Sequence, residues 1–183
     1  MKQSFPPVID HRAHTLILGS MPGQASLDAQ QYYAWKHNAF WPVVRRLLRM
    51  PESASYEARL RALQAAGFAL WDVLAECLRE GSLDASIDHD SARANDIAGL
   101  LQTHPGITLI CLNGSTVQTL FRRHVARTQA LPAHLTVLTL PSTSPANARL
   151  APEAKYQAWE AALLPRLQAA SGPICGRSKN GCR

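Results

Sequence analysis

The segment Thr15-Leu16-Ile17-Leu18-Gly19 decides how this chain folds. A β-branched residue and three apolar residues follow one another, and a glycine ends the run. A short run without polar alternation is typical of a strand that is buried on both faces, which occurs mainly in parallel sheets. Ile107–Leu112 is a second run of this kind, and Phe68–Trp71 and Leu135–Leu140 are further predicted strands.

Segments with a helical spacing of apolar residues separate these strands. Phe40, Val43, Val44, Leu47 and Leu48 recur at the intervals of one helix face. Similar spacing predicts helices around Tyr56–Leu63, Val73–Arg79, Ile97–Leu101, Val117–His124 and Tyr156–Leu167, the last kinked or ended at Pro165. Strands that alternate with helices predict an α/β fold, in which helices cover both faces of a parallel sheet in a three-layer α/β/α sandwich.

Length and composition favour one globular domain. The chain has 183 residues, of which 46% are hydrophobic and 17% charged, which excludes collagen-like, disulfide-dense and mainly disordered chains. We expect one domain over residues 1–170 and a disordered basic tail over residues 171–183. No apolar run approaches the roughly 18–20 residues of a membrane span, and no apolar signal region begins the chain. We therefore expect a cytoplasmic protein without a membrane partner, at most associated with a bacterial nucleoid.

The net charge of +6 gives a mild indication of a phosphate-rich partner. Half of this excess comes from Arg177, Lys179 and Arg183 in the predicted tail. The body of the chain is therefore only slightly basic, and ordinary solubility charge explains it equally well.

The four cysteines indicate a reducing compartment. Cys77 and Cys111 lie in apolar runs, where a free thiol behaves as a small hydrophobic side chain. Cys175 and Cys182 lie in the tail, and the sequence leaves open whether they form a disulfide with each other. None of the spacings is typical of a zinc site or an iron–sulfur cluster, so we expect no metal and no cofactor.

Candidate site residues follow the predicted strands, because open parallel sheets bind ligands beyond the carboxyl ends of their strands. They are Gly19, Ser20, Met21, Pro22 and Gly23 after the first strand, Asp72 after the second, Asn113 after the third and Pro141–Asn147 after the last. The first turn matches no dinucleotide, P-loop or nucleophile-elbow motif. Its backbone N–H groups can approach a ligand closely, or the turn is a plain strand exit.

The polar residues in these positions have two interpretations each. Asn38 precedes a predicted helix, which it can cap, or its amide can orient a water or read a base edge. Tyr33 and Phe40 can stack on a base, and for Phe40 the alternative is a place in the core. Asp72 and Asn113 can accept a hydrogen bond from a base or cap the helices predicted after them.

The last loop is rich in hydroxyl groups. Hydroxyl and backbone N–H groups can hold phosphates, small rigid residues can enter a base stack, and a capped connection to the last helix is the alternative. The candidate DNA-binding residues here are Ser142, Thr143, Ser144, Pro145, Ala146, Asn147 and Arg149.

Taken in order, seven segments resemble the hypoxanthine-DNA glycosylases, the sixth family of the uracil-DNA glycosylase superfamily. They are Leu16–Gly23, Gln31–Ala34, Asn38–Trp41, Leu70–Val73, Gly81–Asp84 with Ile87, Asn113–Gly114 and Pro141–Asn147. The resemblance implies a short, mainly parallel four-stranded sheet and a monofunctional enzyme of base excision repair, without cofactor. It also implies damaged DNA as the partner, double-stranded or single-stranded, and we expect a monomer.

The resemblance also implies roles for single residues. Asn38 corresponds to the catalytic Asn of an Asn-x-Phe-Trp segment, and Tyr33 to the base-stacking aromatic. The loop Ser142–Asn147 corresponds to the motif that clamps and wedges DNA, here without its usual histidine. Met21 stands where mismatch-specific uracil glycosylases carry a water-positioning asparagine.

A mechanism follows as a hypothesis. Asn38 orients a water at C1′ of a flipped nucleotide, and Asp72 or Asn113 accepts from N1–H of hypoxanthine. A backbone N–H of Gly19–Gly23 donates to O6, which would reject adenine. Two other functions stay open: a uracil or G·U/G·T mismatch glycosylase of the same fold, and a nucleic-acid-binding α/β protein without catalysis.

Overall fold

The computed structural model describes residues 1–147 and 150–170, with the backbone alone for 168–170. Its strands are β1 (Lys2–Gln3), β2 (Thr15–Gly19), β3 (Phe68–Asp72), β4 (Leu74–Cys77), β5 (Arg93–Ala94), β6 (Leu109–Asn113) and β7 (Thr136–Leu140). Its α-helices are α1 (Gln24–Ala29), α2 (Phe40–Leu47), α3 (Tyr56–Ala65), α4 (Ile97–Thr103), α5 (Ser115–Phe121) and α6 (Pro152–Ala170). The predicted tail and Arg149 lie outside the described residues.

The central sheet has four strands in the order β3-β2-β6-β7, and every pairing is parallel. The four predicted strands are confirmed. In the register of this sheet, Gly19 aligns with Asp72 and Asn113 aligns with Leu140. The residues that end the strands therefore lie along one edge of the sheet.

Alternate residues of the three strands β2, β3 and β6 enter two different hydrophobic clusters. Leu16 and Leu18 of β2 pack with apolar side chains of α4 and α5. Ile17, between them, packs on the other face with side chains of α2, α3 and α6. Helices thus cover both faces of the sheet at these three strands, which explains why they lack polar alternation. The edge strand β7 is exposed except at Leu140. The predicted three-layer α/β/α sandwich is confirmed.

The helix predicted over Val73–Arg79 is wrong. Residues Leu74–Cys77 form β4, which pairs antiparallel with β1 and β5 in a second, three-stranded sheet. Leu74 and Cys77 are fully buried, and their spacing fits one helix face as well as it fits this irregular strand. Backbone pairing to segments distant in sequence decided between the two, and local periodicity does not contain that information.

The last helix was predicted to be kinked or ended at Pro165. It continues through this proline to Ala170, so the second alternative is wrong, and the kink stays a prediction. A proline inside a helix costs about 3 kcal/mol. Trp159 and Leu163 before it are fully buried, and Leu167 beyond it packs on the same cluster. Burial on both sides of the proline offsets this cost. Among the described helices, none is long and apolar enough to cross a membrane.

Candidate active site

A cavity of about 560 Å³ opens at the edge where the central strands end. Its volume lies in the range of small-molecule sites. Most of the predicted site residues line it: Gly19, Ser20, Met21, Pro22, Gly23, Tyr33, Asn38, Asp72, Asn113 and Ser142–Ala146. Phe40 and Asn147 are outside this lining. The topology therefore brings residues from five separate segments of the chain to one site.

Asn38 is held in a fixed orientation at this cavity. Its Oδ1 accepts a hydrogen bond of 2.9 Å from the backbone N–H of Phe40, the first residue of α2. Its own backbone N–H donates to the carbonyl of Trp35 at 2.8 Å. The side chain thus bonds the start of the helix and still lines the cavity. Its Nδ2 group and the second lone pair of Oδ1 can serve a ligand.

Tyr33 forms an aromatic wall of the cavity. Its ring stacks on Phe40 with the ring centres 4.0 Å apart, and its hydroxyl accepts a 3.0 Å hydrogen bond from Nδ2 of Asn113. Its backbone has a φ of 55°, in the left-handed region that non-glycine residues rarely adopt. Burial raises the pKa of the Tyr33 hydroxyl, which stays neutral. Phe40 is fully buried behind this ring, so it reaches a ligand only through Tyr33.

Asn113 uses most of its hydrogen-bonding capacity within the protein. Besides its bond to Tyr33, Nδ2 donates to Oγ1 of Thr143 at 2.9 Å, and Oδ1 accepts from the backbone N–H of Thr143 at 2.9 Å. These bonds attach the loop Ser142–Ala146 to the end of β6. The interpretation of Asn113 as a helix cap is wrong, because Gly114 occupies that position without a side-chain bond.

Gly114 allows the loop to approach this closely. It has a φ of 110°, and a Cβ at this position would lie 2.7 Å from Cβ of Ser142. Only glycine satisfies both requirements.

Asp72 is a buried carboxylic acid in the lining of the cavity. It is the last residue of β3, its side chain is almost completely buried at 3% exposure, and Oδ2 accepts a 2.9 Å bond from Oγ of Ser4. Burial raises the pKa of Asp72 to about 7; the Ser4 bond opposes this shift, and the charge of Asp84 adds to it. A strand follows Asp72 directly, so its interpretation as a helix cap is wrong.

Gly19 leaves room for the two functional groups beside it. A Cβ at Gly19 would lie 2.5 Å from Oδ1 of Asp72 and 2.9 Å from the hydroxyl of Tyr33. Because the residue that ends β2 is a glycine, the carboxyl group of Asp72 and the hydroxyl group of Tyr33 can both lie close to its backbone at the cavity.

One wall of the cavity, formed by Ser82, Leu83 and Asp84, was not predicted. The buried guanidinium of Arg79 donates to the carbonyl oxygens of Met21, at 3.3 Å, and Pro22, and it lies 3.4 Å from Oδ1 of Asp84. The same oxygen of Asp84 accepts from Oγ of Ser20 at 2.7 Å. The segment Gly81–Asp84 carries part of the family resemblance, and that resemblance was the one indication that it belongs to the site. Its residue types alone indicate no particular role.

The loop Ser142–Asn147 is attached to helices on two sides. The carbonyl of Thr143 accepts from the backbone N–H of Ala39 at 2.9 Å, next to Asn38. The carbonyl of Ser144 accepts from Nζ of the buried Lys155 at 3.3 Å. The candidate catalytic loop and the candidate DNA-binding loop are therefore in direct contact.

Comparison with known proteins identifies the family. Residues 6–168 match the uracil DNA glycosylase superfamily. A hypoxanthine DNA glycosylase of Methanosarcina acetivorans is 34% identical over 165 residues, which cover 88% of this chain and 97% of the relative. A hypoxanthine DNA glycosylase of Methanosarcina barkeri is 38% identical over 114 residues, 62% of this chain and 71% of the relative.

A solved structure agrees with this match. The solution NMR structure of a Methanosarcina acetivorans protein, described as a candidate uracil DNA glycosylase, superimposes with a TM-score of 0.73 at 33% identity. The alignment covers 90% of this chain and 98% of that one. Sequence and fold therefore lead to one conclusion: this chain belongs to the uracil DNA glycosylase superfamily.

Proposed function

We propose that this DNA glycosylase hydrolyses the N-glycosidic bond of deoxyinosine in DNA and releases hypoxanthine. The observation that carries the proposal is a single cavity lined by the fixed amide of Asn38, the buried carboxyl of Asp72 and the ring of Tyr33. Two relatives named hypoxanthine DNA glycosylase support it.

The cavity can receive only a nucleotide that has left the duplex. Enzymes that act on a base extrude it from the stack, at a cost of a few kcal/mol that is smallest for damaged or mismatched bases. Contacts to phosphate groups offset this cost without reading sequence. We assign these contacts to the hydroxyl and backbone groups of Ser142–Asn147 and, from the sequence, to Arg149. The cavity is formed within one chain, and we expect a monomer.

Asn38 would orient the attacking water. The bond from C1′ to the base breaks with its electron pair moving onto the purine, and the sugar develops oxocarbenium character. Water adds to C1′, and its proton is finally taken up by the base. An electron-poor C1′ needs no strong nucleophile, so a neutral amide is sufficient. Lys36 is exposed and is not part of the cavity lining, which favours water over a lysine nucleophile.

Asp72 is the better candidate of the two for reading the base. Hypoxanthine presents N1–H as a donor and O6 as an acceptor. Because Asn113 spends both amide hydrogens and one lone pair on protein partners, we assign the acceptor for N1–H to the ionised carboxylate of Asp72. Backbone N–H groups of the turn Gly19–Gly23 would donate to O6. Adenine has no proton at N1 and a donor at position six, so both contacts would fail.

Replacing Tyr33 with alanine should slow hypoxanthine release by about tenfold to a hundredfold, because base–aromatic stacking contributes about 1–3 kcal/mol per base. Tyr33→Phe keeps the ring and loses only the bond to Asn113, so we expect a reduction of a few fold. Single-turnover rates on an inosine duplex measure both variants. Equal rates for Tyr33→Ala and the wild type would remove Tyr33 from the binding site.

A base-release assay tests the proposed function directly. Oligonucleotides that contain hypoxanthine, xanthine, uracil or a thymine mismatch are incubated with the enzyme, and alkali then cleaves the abasic sites. We expect the fastest release from deoxyinosine and no covalent adduct after borohydride treatment. Failure to release hypoxanthine would refute the proposal, and a trapped enzyme–DNA adduct would refute the water mechanism.

A uracil glycosylase is the second candidate, because the superimposed Methanosarcina structure is described as one. Against it, Met21 lines the cavity at the position where mismatch-specific uracil glycosylases carry their asparagine, and its thioether cannot orient a water as an amide does. Faster release of uracil than of hypoxanthine in the same assay would favour this candidate.

A further inference from the structure

The two oxygens of the Asp72 carboxyl group have different surroundings. Oδ2 accepts the 2.9 Å bond from Oγ of Ser4, the one hydrogen bond to this carboxyl group within the residues that the structure describes. Oδ1 lies toward Gly19 and the Tyr33 hydroxyl, since a Cβ at Gly19 would be 2.5 Å from the first and 2.9 Å from the second. Oδ1 has no donor among the described residues, and it keeps accessible surface. Because Asp72 lines the cavity, Oδ1 is the oxygen that a bound base can reach.

The segment that follows β1 brings Ser4 to this carboxyl group. β1 pairs antiparallel with β4, and the backbone N–H of Ser4 donates to the carbonyl of Ala75 at 2.8 Å. The next carbonyl, that of Phe5, accepts from Nε1 of Trp71 at 2.9 Å, and Trp71 directly precedes Asp72. Bonds on both sides of the Ser4 side chain therefore hold its hydroxyl at a carboxyl group that is 68 positions away in the sequence.

The single hydrogen of the Ser4 hydroxyl favours the ionised form of Asp72. Its alternative acceptor is the carbonyl of Phe5, at 3.3 Å. Hydrogen bonds to ionised acceptors are shorter and roughly twice as strong as neutral ones, so the carboxylate takes the hydrogen. A donor to the charged form lowers the pKa of a carboxyl group. The Ser4 bond acts in this direction on the pKa of Asp72, against the burial that raises it to about 7.

The other titratable groups that face Asp72 do not replace this bond. The charge of Asp84 raises the pKa of Asp72 further, and that of Arg79 lowers it without a hydrogen bond between the two side chains. The hydroxyl groups of Tyr32 and Tyr33 are neutral, because burial raises the pKa of each. The serine bond to Oδ2 is therefore the direct contact that favours an ionised carboxyl group here.

A carboxylate that is held by one oxygen presents the other oxygen in a fixed direction. Discrimination between bases needs this, because it depends on an acceptor that meets the donor of the correct base. We propose that Ser4 is a positioning residue: its hydroxyl holds Oδ2 of the Asp72 carboxylate and leaves Oδ1 in place to accept from N1–H of the base, an inference that rests on the proposed function. Ser4 is outside the cavity lining, so it acts through Asp72 and not on the base.

Replacing Ser4 with alanine should cause a loss of activity that depends on pH. Without the charge-assisted bond, the acid limb of kcat/KM for deoxyinosine should move to higher pH by about one unit. The wild-type value should exceed that of Ser4→Ala by about tenfold at pH 5.5 and by less than about threefold at pH 8.5. Ser4→Thr keeps the hydroxyl and should restore the wild-type profile. Ser53→Ala is the matched control, since Ser53 is exposed and outside the cavity lining.

The Asp72→Asn background separates positioning from a general structural effect. No carboxylate remains to titrate in this background, so adding Ser4→Ala should change kcat/KM by the same factor at pH 5.5 and pH 8.5. In the wild-type background, an equal loss at both pH values would overturn the positioning role. The same conclusion would follow if Ser4→Thr behaved like Ser4→Ala.

A second measurement does not depend on catalysis. The ¹³C NMR signal of the Asp72 carboxyl carbon, assigned by its absence in Asp72→Asn, reports the ionisation of this group directly. Its midpoint in Ser4→Ala should lie about one pH unit above that of the wild type, and in Ser4→Thr it should be unchanged. Equal midpoints in Ser4→Ala and the wild type would overturn the role of Ser4. Absence of hypoxanthine release by the wild type would refute the proposed function instead, and the NMR titration would still decide whether Ser4 holds the Asp72 carboxylate.

Discussion

Replacing Asn38 with alanine should slow hypoxanthine release by about a hundredfold to a thousandfold, the range found when one positioned hydrogen-bonding side chain is removed from an active site. The amide lines the cavity with a fixed orientation, so its removal leaves the water without a positioning group. The rate is measured under single-turnover conditions on an inosine-containing duplex. A loss of less than about tenfold, equivalent to about 1.4 kcal/mol, would exclude a catalytic role.

Asn38 also bonds the first N–H of α2, and a serine variant separates the two roles. Ala39 holds the N-cap position of α2, so the interpretation of Asn38 as that cap is wrong. Loss of its hydrogen bond to Phe40 would still cost about 1 kcal/mol of stability. Asn38→Ser retains a short side-chain oxygen that can accept from Phe40 but does not extend as the amide does. We expect Asn38→Ser to unfold close to the wild-type urea concentration and still to lose most of its activity. Recovery of activity together with stability would show that the role of Asn38 is structural.

Replacing Asp72 with asparagine should stabilise the protein at alkaline pH. The pKa of Asp72 is about 7 in the folded protein, whereas its ordinary value is 3.8. Between these values the folded state holds a proton that the unfolded state releases, so stability decreases as pH rises from about 4 to about 7. A difference of this size between the two pKa values corresponds to about 4 kcal/mol. The neutral amide of the Asp72→Asn variant would avoid this cost and can still accept from Ser4.

Urea unfolding at pH 5 and pH 8 tests this effect. The advantage of Asp72→Asn should be about 2 kcal/mol at pH 5 and about 4 kcal/mol at pH 8. Asp90 is exposed and provides the matched control, because Asp90→Asn should change stability by less than about 0.5 kcal/mol at either pH. An Asp72→Asn advantage that is the same at both pH values would mean that Asp72 is not a buried, destabilised carboxylate.

The same residue should impose a pH dependence on activity. The ionised carboxylate accepts from N1–H more strongly than the neutral acid does, so kcat/KM for deoxyinosine should fall as pH decreases below about 7, where Asp72 becomes protonated. Asp72→Asn keeps an acceptor that does not titrate and should flatten this limb. Asp72→Leu offers no acceptor and should lose up to a hundredfold, since an unpaired buried donor costs about 1–3 kcal/mol. An unaltered pH profile in Asp72→Asn would exclude Asp72 as the base reader.

Local pattern predicted β2, β3 and β6 well because these strands are buried on both faces, and such burial requires an uninterrupted apolar run. The edge strand β7 is exposed except at Leu140 and was predicted from its β-branched and apolar residues alone. Local pattern failed over Leu74–Cys77, where the apolar spacing fits a helix as well as a strand.

The positions of Asp72 and Asn113 at the strand ends were predictable from the rule for parallel sheets. Which of the two side chains is available to bind a base was not predictable. That depends on the hydrogen bonds of Asn113 to Tyr33 and Thr143, which lie far from it in the sequence.

The amino-acid sequence by itself determined the layered α/β architecture and most of the side chains that line the cavity. Both depend on residue type and on short-range order along the chain, which a single sequence contains. Only the tertiary structure decided that Asp72 is buried with a raised pKa, that Asn113 supports a loop, and that Ser4 bonds Asp72. Desolvation and hydrogen-bond partnership are properties of the surroundings of a group, and distant segments supply those surroundings when the chain folds.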